Sequence, residues 1–308
     1  MKNIKVFAPA SVANVGCGFD VLGFALENPG DELILRKKKS KGINIINRSS
    51  YNSISLDPEK NCAGKPLLSF LRRIHYSEGL EVTFTRKIKP GSGIGSSAAS
   101  AAASVFAANE LFGKPFSGKE LVELGMIGES VASGSFHADN VAPSLLGGFL
   151  LIRSYTPLDV VKLSHPENLY CALAHPDIEI KTMDARKVLK KVVDFKKAIT
   201  QWGNVAGLIA GLGSSDFSLI GRSMEDVIVE PVRAALIPHY FAVKKSAMKN
   251  GALGCAISGS GPTVFALCDG FDNAEKASRA MQQVFLKKNI SCDRYVSKIN
   301  PHGAIILN

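Results

Sequence analysis

The stretch KPGSGIGSSAASAAA, residues 89–103, constrains the fold more than any other part of the chain. Gly91, Gly93 and Gly95 give a backbone that turns tightly and lets a partner approach closely. The residues from Ala98 to Ala108 form helix readily but carry little side-chain bulk, so this helix has to lie close against its neighbours. A helix start leaves N–H groups unpaired and carries partial positive charge, and the junction therefore suits an anion, phosphate above all. Ser96 and Ser97 fit either as helix caps or as hydroxyls for a phosphate or its metal. Taken alone, the stretch also fits a serine-capped glycine turn with no ligand.

With 308 residues, 46% of them hydrophobic, the chain can bury one large core or two medium ones. Apolar runs such as Leu145–Ile152 are too short to cross a bilayer, and MKNIKVFAPAS lacks the apolar stretch of a secretory signal; a cytoplasmic location with no membrane partner is expected. The six cysteines are scattered without a CxxC pair, which points to reduced structural thiols and away from a cysteine metal site. The formal net charge of +10 calls for an acidic partner. Much of it is local, in RKKKSK (Arg36–Lys41), read as a solvated strand end or loop, and in RKVLKKVVDFKK (Arg186–Lys197), read as the polar side of a helix. Neither run is interleaved with aromatics as a single-strand binding surface would be. A nucleotide explains the charge as well as a nucleic acid does.

Strand patterns at Ile4–Ala8, Glu32–Arg36, Ile43–Ile46 and Leu80–Thr85 alternate with helical patterns at Lys65–Ile74, Ser97–Phe112 and Gly118–Ala132. After a buried strand at Gly147–Ile152 the pattern restarts, with helices expected at Met183–Ala198, Val205–Leu212, Lys244–Lys249 and Ala274–Phe285. This predicts an α+β fold in two domains, 1–155 and 156–308. There is no GxxxxGK[ST] and no GxSxG nucleophile elbow.

Two further stretches stand out, PASVANVGCGFDVLGFAL (Pro9–Leu26) and GCAISGSGPTVFAL (Gly254–Leu267). With the glycine loop between them, in this order, they resemble the GHMP kinases. Together with SFHADNVAPSLLGG (Ser135–Gly148) and TMDAR (Thr182–Arg186), they resemble the homoserine kinase family within that group. The resemblance implies an N-terminal domain like domain 2 of ribosomal protein S5, with a left-handed βαβ crossover that runs against the usual rule, and a ferredoxin-like C-terminal domain. It implies phosphoryl transfer from ATP to the hydroxyl of L-homoserine with Mg2+, a step toward threonine, in a homodimer whose partners are small molecules and not nucleic acid.

Carried over residue by residue, the resemblance assigns ATP to Pro90, Gly91, Ser92, Gly93, Ile94, Gly95, Ser96, Ser97, Ala98, Ala99 and Ser100. Gly259, Ser260 and Gly261 form the far edge of that site, and Asn61 lies near the base. Ser97 and Glu129 are the implied metal ligands. Arg186 and Arg233 would clamp the acceptor carboxylate, a task suited to guanidinium forks. Asp20 would take its ammonium, while Asn14, His137 and Thr182 complete the lining. Asn140 is the implied catalytic positioning group beside Arg186; no side chain is assigned as base, although Asp139 is adjacent. Other roles fit some of these residues as well: Asn14 and Asp20 as turn caps, Glu129 as a solvated helix residue, and Arg233 as an exposed partner of Glu230. Cys17 stands where the family commonly has proline, Pro90 falls one place later than its proline, and Ile94 replaces leucine.

Overall fold

The computed structural model describes residues 3–51, 54–180 and 182–307. The first half of the chain runs β1 (Asn3–Ala13), β2 (Leu22–Lys38), β3 (Ile43–Asn47), α1 (Gly64–Arg73), β4 (Gly79–Arg86), α2 (Ser96–Leu111), α3 (Gly118–Ser133), α4 (Val141–Leu146), β5 (Phe149–Tyr155) and β6 (Leu158–Leu163). The second half runs β7 (Leu169–Pro176), α5 (Thr182–Lys187), α6 (Phe195–Ser214), α7 (Phe217–Ser223), α8 (Glu230–Arg233), α9 (Tyr240–Lys249), β8 (Ala252–Ile257), β9 (Val264–Asp269), α10 (Phe271–Leu286), β10 (Cys292–Lys298) and β11 (Ile305–Leu307).

One sheet is ordered β11-β1-β2-β4-β3, with β5 joined to β2 and β6 to β5; the other is ordered β10-β7-β9-β8. In the first, β3 and β4 pair in parallel across α1, and the remaining pairs are antiparallel. Strand β2 is long because it serves two neighbours, pairing β5 through Leu22–Phe24 and β4 through Glu32–Lys38. Between these parts lies the exposed segment around Glu27 and Asn28. Along its second part Leu33 and Leu35 are fully buried while Arg36 is exposed, the alternation of a strand with one face inward.

Helix α2 packs on β1, β2, α1, α3 and α4. Its alanines at 98, 99, 101–103, 107 and 108 have no exposed surface. A helix this bare on every side has no solvent face, so it is enclosed. Helices α9 and α10 cover the second sheet. A third apolar cluster joins the sheets: Phe24 of β2 lies 5.2 Å from Phe149 of β5 and 6.1 Å from Phe265 of β9, ring centre to ring centre.

Two expectations need correction. A division at 155/156 falls inside the β5–β6 hairpin, so the first sheet keeps the chain to Leu163 and takes it back at β11. The helix expected at Met183–Ala198 is broken: α5 stops at Lys187, and α6 starts afresh at Phe195. The cause is Asp194, whose carboxylate accepts the N–H groups of Lys196 and Lys197 and so caps a new helix start. Val192, between the two helices, is 83% exposed.

Because Phe24 touches an aromatic ring of each sheet, Phe24→Ala is expected to cost about 3–5 kcal/mol, the usual range for a buried Phe→Ala change. Urea denaturation followed by fluorescence and circular dichroism checks this; a change below about 1 kcal/mol contradicts it.

Candidate active site

The three sequence motifs meet where the sheets join, around a cavity of about 350 Å³. Every expected site residue lines it except Ile94, Ala98, Ala99 and Gly261. The side chains of Ile94, Ala98 and Ala99 are buried in the cores instead, while Gly261 closes the β8–β9 turn by donating its N–H to the Ser258 carbonyl at 2.8 Å.

The glycine loop takes the backbone its sequence demands, with φ of +72°, +79° and +68° at Gly91, Gly93 and Gly95. A side chain at Gly95 would start 2.3 Å from Ser11 Oγ and 3.0 Å from Asn140 Oδ1. Beyond it, the first main-chain bond of α2 runs from the Ala99 N–H to the Gly95 carbonyl at 2.8 Å. The N–H groups of Ser96, Ser97 and Ala98 come before that bond, at the positive end of the helix dipole. Among the described residues no side chain caps this end.

Under the loop lies a buried ion pair that the sequence motifs do not announce. Lys87 Nζ is 3.0 Å from Asp31 Oδ2, and both side chains are almost fully buried. Asp31 also accepts from the Ser100 hydroxyl at 2.6 Å and the Ile88 N–H at 2.7 Å. Lys87 donates in addition to the Ser96 carbonyl and hydroxyl at 2.9 and 2.7 Å. The pair thus fixes both ends of the loop and leaves the Lys87 ammonium at the cavity wall.

Glu129 of α3 is 6% exposed, and its Oε1 has no partner among the described residues. Burial lifts its carboxyl to about 7, with the Ser97 hydroxyl and the Lys87 charge pulling the other way. Gly128 makes this placement possible: a Cβ there would lie 2.3 Å from the Cys62 carbonyl oxygen and 2.6 Å from Ala101 Cβ, so only glycine lets α3 come this close. The pairing of a buried, partnerless carboxylate oxygen with a neighbouring hydroxyl fits a hard divalent cation that keeps waters and phosphate oxygens as its other ligands.

At the opposite end, Arg186 Nη2 donates to both oxygens of Asp20, at 2.7 and 2.9 Å, and lies 3.3 Å from His137 Nδ1. Asp20 and Arg186 therefore neutralise each other. Burial keeps His137 below the usual imidazole range. A guanidinium only donates, so the neutral ring accepts at Nδ1 and carries its hydrogen on Nε2. His137 Nε2 and Arg186 Nε are both buried and without partners among the described residues. Arg233 is 3% exposed and donates to the carbonyls of Ala185 and Gly259 at 3.1 and 2.9 Å. It is not the exposed partner of Glu230, which pairs with Lys244. Burial lowers Arg233 to about 10, which leaves it cationic at neutral pH. Phe19 lies under both guanidinium groups, 4.9 Å from that of Arg233 and 5.5 Å from that of Arg186.

Asn14 ties two motifs together, donating to the Gly259 carbonyl at 2.8 Å and accepting the Asp20 N–H at 3.1 Å. Thr182 Oγ1 is 3.4 Å from Ser260 Oγ. Asn61 caps α1 by accepting the N–H groups of Ala63 and Gly64 while it lines the cavity. Asn140 Oδ1 accepts from the Ser11 hydroxyl at 2.9 Å. Asp139 is buried, and burial together with Asp20 and Glu129 pushes it up to about 8. Lys87, Asp31 and Phe19 are the residues that sequence reasoning missed. Lys87 offered one signal, a basic residue just before the glycine loop; Asp31 and Phe19 offered none of their own.

Removing the Asp31 carboxylate leaves the Lys87 ammonium buried without its counter-charge. Asp31→Ala is expected to cost about 3–5 kcal/mol, as for other broken buried pairs, and thermal and urea denaturation measure it. A loss within 1 kcal/mol would show the pair to be dispensable.

Similarity to known proteins agrees with this geometry. The model of the GHMP kinases N-terminal domain matches residues 61–148, and that of the GHMP kinases C-terminal domain matches 208–287. The chain is 48% identical to a homoserine kinase of Chlorobium phaeovibrioides over the whole of both proteins. It is 37% identical to one of Methanococcus maripaludis, covering 98% of this chain and 97% of that one. The crystal structure of homoserine kinase from Cytophaga hutchinsonii superposes with a TM-score of 0.96 at 51% identity, over 100% of this chain and 98% of that one. A mevalonate kinase of L. major crystallised with R-mevalonate shares the fold at a TM-score of 0.74 and 16% identity, over 96% of each chain. Matches of this extent reach through both sheets and all three motifs, and the chain belongs to the GHMP kinases, within their homoserine kinase family.

Proposed function

We propose that the protein transfers the γ-phosphoryl group of ATP to the hydroxyl of L-homoserine, giving ADP and O-phospho-L-homoserine, with Mg2+ as the metal. The carrying observation is a set of buried polar atoms around one cavity that have no partner among the described residues: Glu129 Oε1, His137 Nε2, Arg186 Nε and, in the glycine loop, Ser92 Oγ. Buried polar groups normally find hydrogen-bond partners, so each marks a contact that a ligand completes. A carboxylate oxygen facing the glycine loop and two donors at the opposite end suit a metal-bound triphosphate and a carboxylate-bearing acceptor.

In this reading the ATP phosphates lie along Gly91–Ser97, on backbone N–H groups and the dipole of α2. Ser97 and Glu129 would hold Mg2+, which when bound neutralises charge on the phosphate oxygens. Lys87 adds a fixed positive charge beneath the loop. The acceptor carboxylate goes to Arg186 and Arg233, and its ammonium to Asp20. An amino acid brings both charges, so it can part the Asp20–Arg186 pair and re-satisfy each member; an acid without an amine leaves Asp20 unpaired. The acceptor oxygen then bonds to the γ-phosphorus as the bond to the ADP oxygen breaks, and the hydroxyl proton leaves to a phosphate oxygen or to solvent. Asn140, with Oδ1 engaged by Ser11, presents N–H donors to the cavity and so orients the reacting oxygens without taking a proton. By the family's pattern the protein is read as a cytoplasmic homodimer acting on the way to threonine.

ADP release with Mg-ATP, compared among L-homoserine, L-serine, L-threonine, mevalonate and no acceptor, tests the proposal. Turnover is expected with L-homoserine alone. ATP binding with no acceptor-stimulated turnover overturns it.

The state of Asp139 yields a second expectation. Burial, with Asp20 and Glu129, holds its carboxyl up to about 8, which favours the protonated form at pH 7 and a role other than that of base. Asp139→Asn is expected to keep kcat within about threefold at pH 7; a general base contributes roughly a hundredfold or more, and a loss of that size would make Asp139 the base.

A further inference from the structure

His175, near the end of β7, lies between the second sheet and the glycine loop and is 4% exposed. Its Nδ1 is 3.1 Å from Thr263 Oγ1, and that hydroxyl is 2.6 Å from the Ser92 carbonyl oxygen. A threonine hydroxyl has one proton, and a carbonyl oxygen only accepts, so the proton lies between Thr263 and Ser92. Thr263 must then accept from His175, which fixes the hydrogen of the ring on Nδ1. The other nitrogen, Nε2, is buried with no partner among the described residues, where a second proton would find no acceptor. The chain from His175 through Thr263 to Ser92 therefore has a single direction.

This direction matters because a trans peptide is planar, with its C=O and N–H pointing opposite ways. Turning the Ser92 carbonyl toward Thr263 turns the Gly93 N–H to the other side of the loop. The next peptide is held likewise, since the Ser258 hydroxyl donates to the Gly93 carbonyl at 2.8 Å and so aims the Ile94 N–H. Without such anchors a glycine at φ +79° has little to stop its peptide planes from rotating.

We infer that His175 is a positioning residue for the phosphate loop: by donating to Thr263 it commits that hydroxyl to the Ser92 carbonyl and presets the direction of the Gly93 N–H. It touches neither the reacting atoms nor the acceptor pocket, so its effect falls on the nucleotide. The inference rests on the proposed placement of the nucleotide phosphates along this loop.

Calorimetric titration of the full chain with MgADP, alongside steady-state kinetics, tests it with His175→Leu, His175→Asn, Thr263→Val and the double variant His175→Leu/Thr263→Val. His175→Leu is expected to weaken MgADP binding about fivefold, in line with one lost neutral hydrogen bond, and to raise the KM for ATP similarly while the KM for L-homoserine stays within twofold. His175→Asn, whose side-chain amide can donate near the Nδ1 position, is expected to recover wild-type binding within twofold. On the Thr263→Val background, His175→Leu adds nothing. The inference is overturned if His175→Leu binds MgADP as wild type does, if the Leu and Asn variants are equally impaired, or if both KM values rise together with a fall in Tm. Wild-type binding of MgADP with homoserine-dependent turnover upholds the proposed function whichever way His175 behaves.

Discussion

The enclosure of α2 governs the rest of the molecule. A helix in which eleven of sixteen residues are alanine or serine gains little from any single contact, so it is stable only when surrounded. The first sheet, α1, α3 and α4 surround it, and each is brought near by the smallness of the side chains it meets. With the helix body enclosed, its N-terminal residues Ser96, Ser97 and Ser100 line the cavity. The same sequence property thus supplies both a close-packed core and a desolvated dipole end, where an anion is held more strongly than at an exposed helix.

The two ends of the cavity use charge differently. At the loop, Lys87 is locked to Asp31 and its excess donors go to Ser96, so the charge is fixed in place before any ligand arrives. At the acceptor end, Asp20 and Arg186 hold each other, but through part-buried groups whose partners can change. Phe19 lies against both arginines with an uncharged face, keeping two like charges close without neutralising either. Fixed charge suits the phosphates common to every turnover, and exchangeable charge suits the selection of a zwitterion.

Much of this was legible in the sequence where function depends on backbone geometry. Glycines at 91, 93 and 95 announce a left-handed loop because no other residue takes those angles cheaply, and the motifs around Asn14 and Gly259 do the same for the turns that flank it. The strands and helices expected in the first half formed, but β1 runs on to Ala13, β2 is longer because its bend at Glu27–Gly30 interrupts the alternation, and α4 and β6 were not expected. Residues that matter through one tertiary contact were not legible. Asp31, Phe19 and His175 have no local pattern, and their roles exist only once distant segments meet. The segment from Met183 to Ala198 misled for a different reason: its apolar spacing fits a helix, but the local bonds offered by Asp194 favour a new start.

Strand β11 carries a consequence for how the molecule is made. It pairs Lys5, Val6 and Phe7 of β1 with Leu307, Ile306 and Ile305, joining the two extremes of the described chain in one sheet. Until residues 305–307 leave the ribosome, the outer edge of β1 presents unpaired N–H and C=O groups beside a nearly complete core, the kind of edge that recruits foreign strands. Such long-range closure is slow compared with the local pairing of β5 and β6. A nascent chain therefore has an interval in which its first sheet is folded but unsealed, and a truncation that removes β11 would make that aggregation-prone interval permanent.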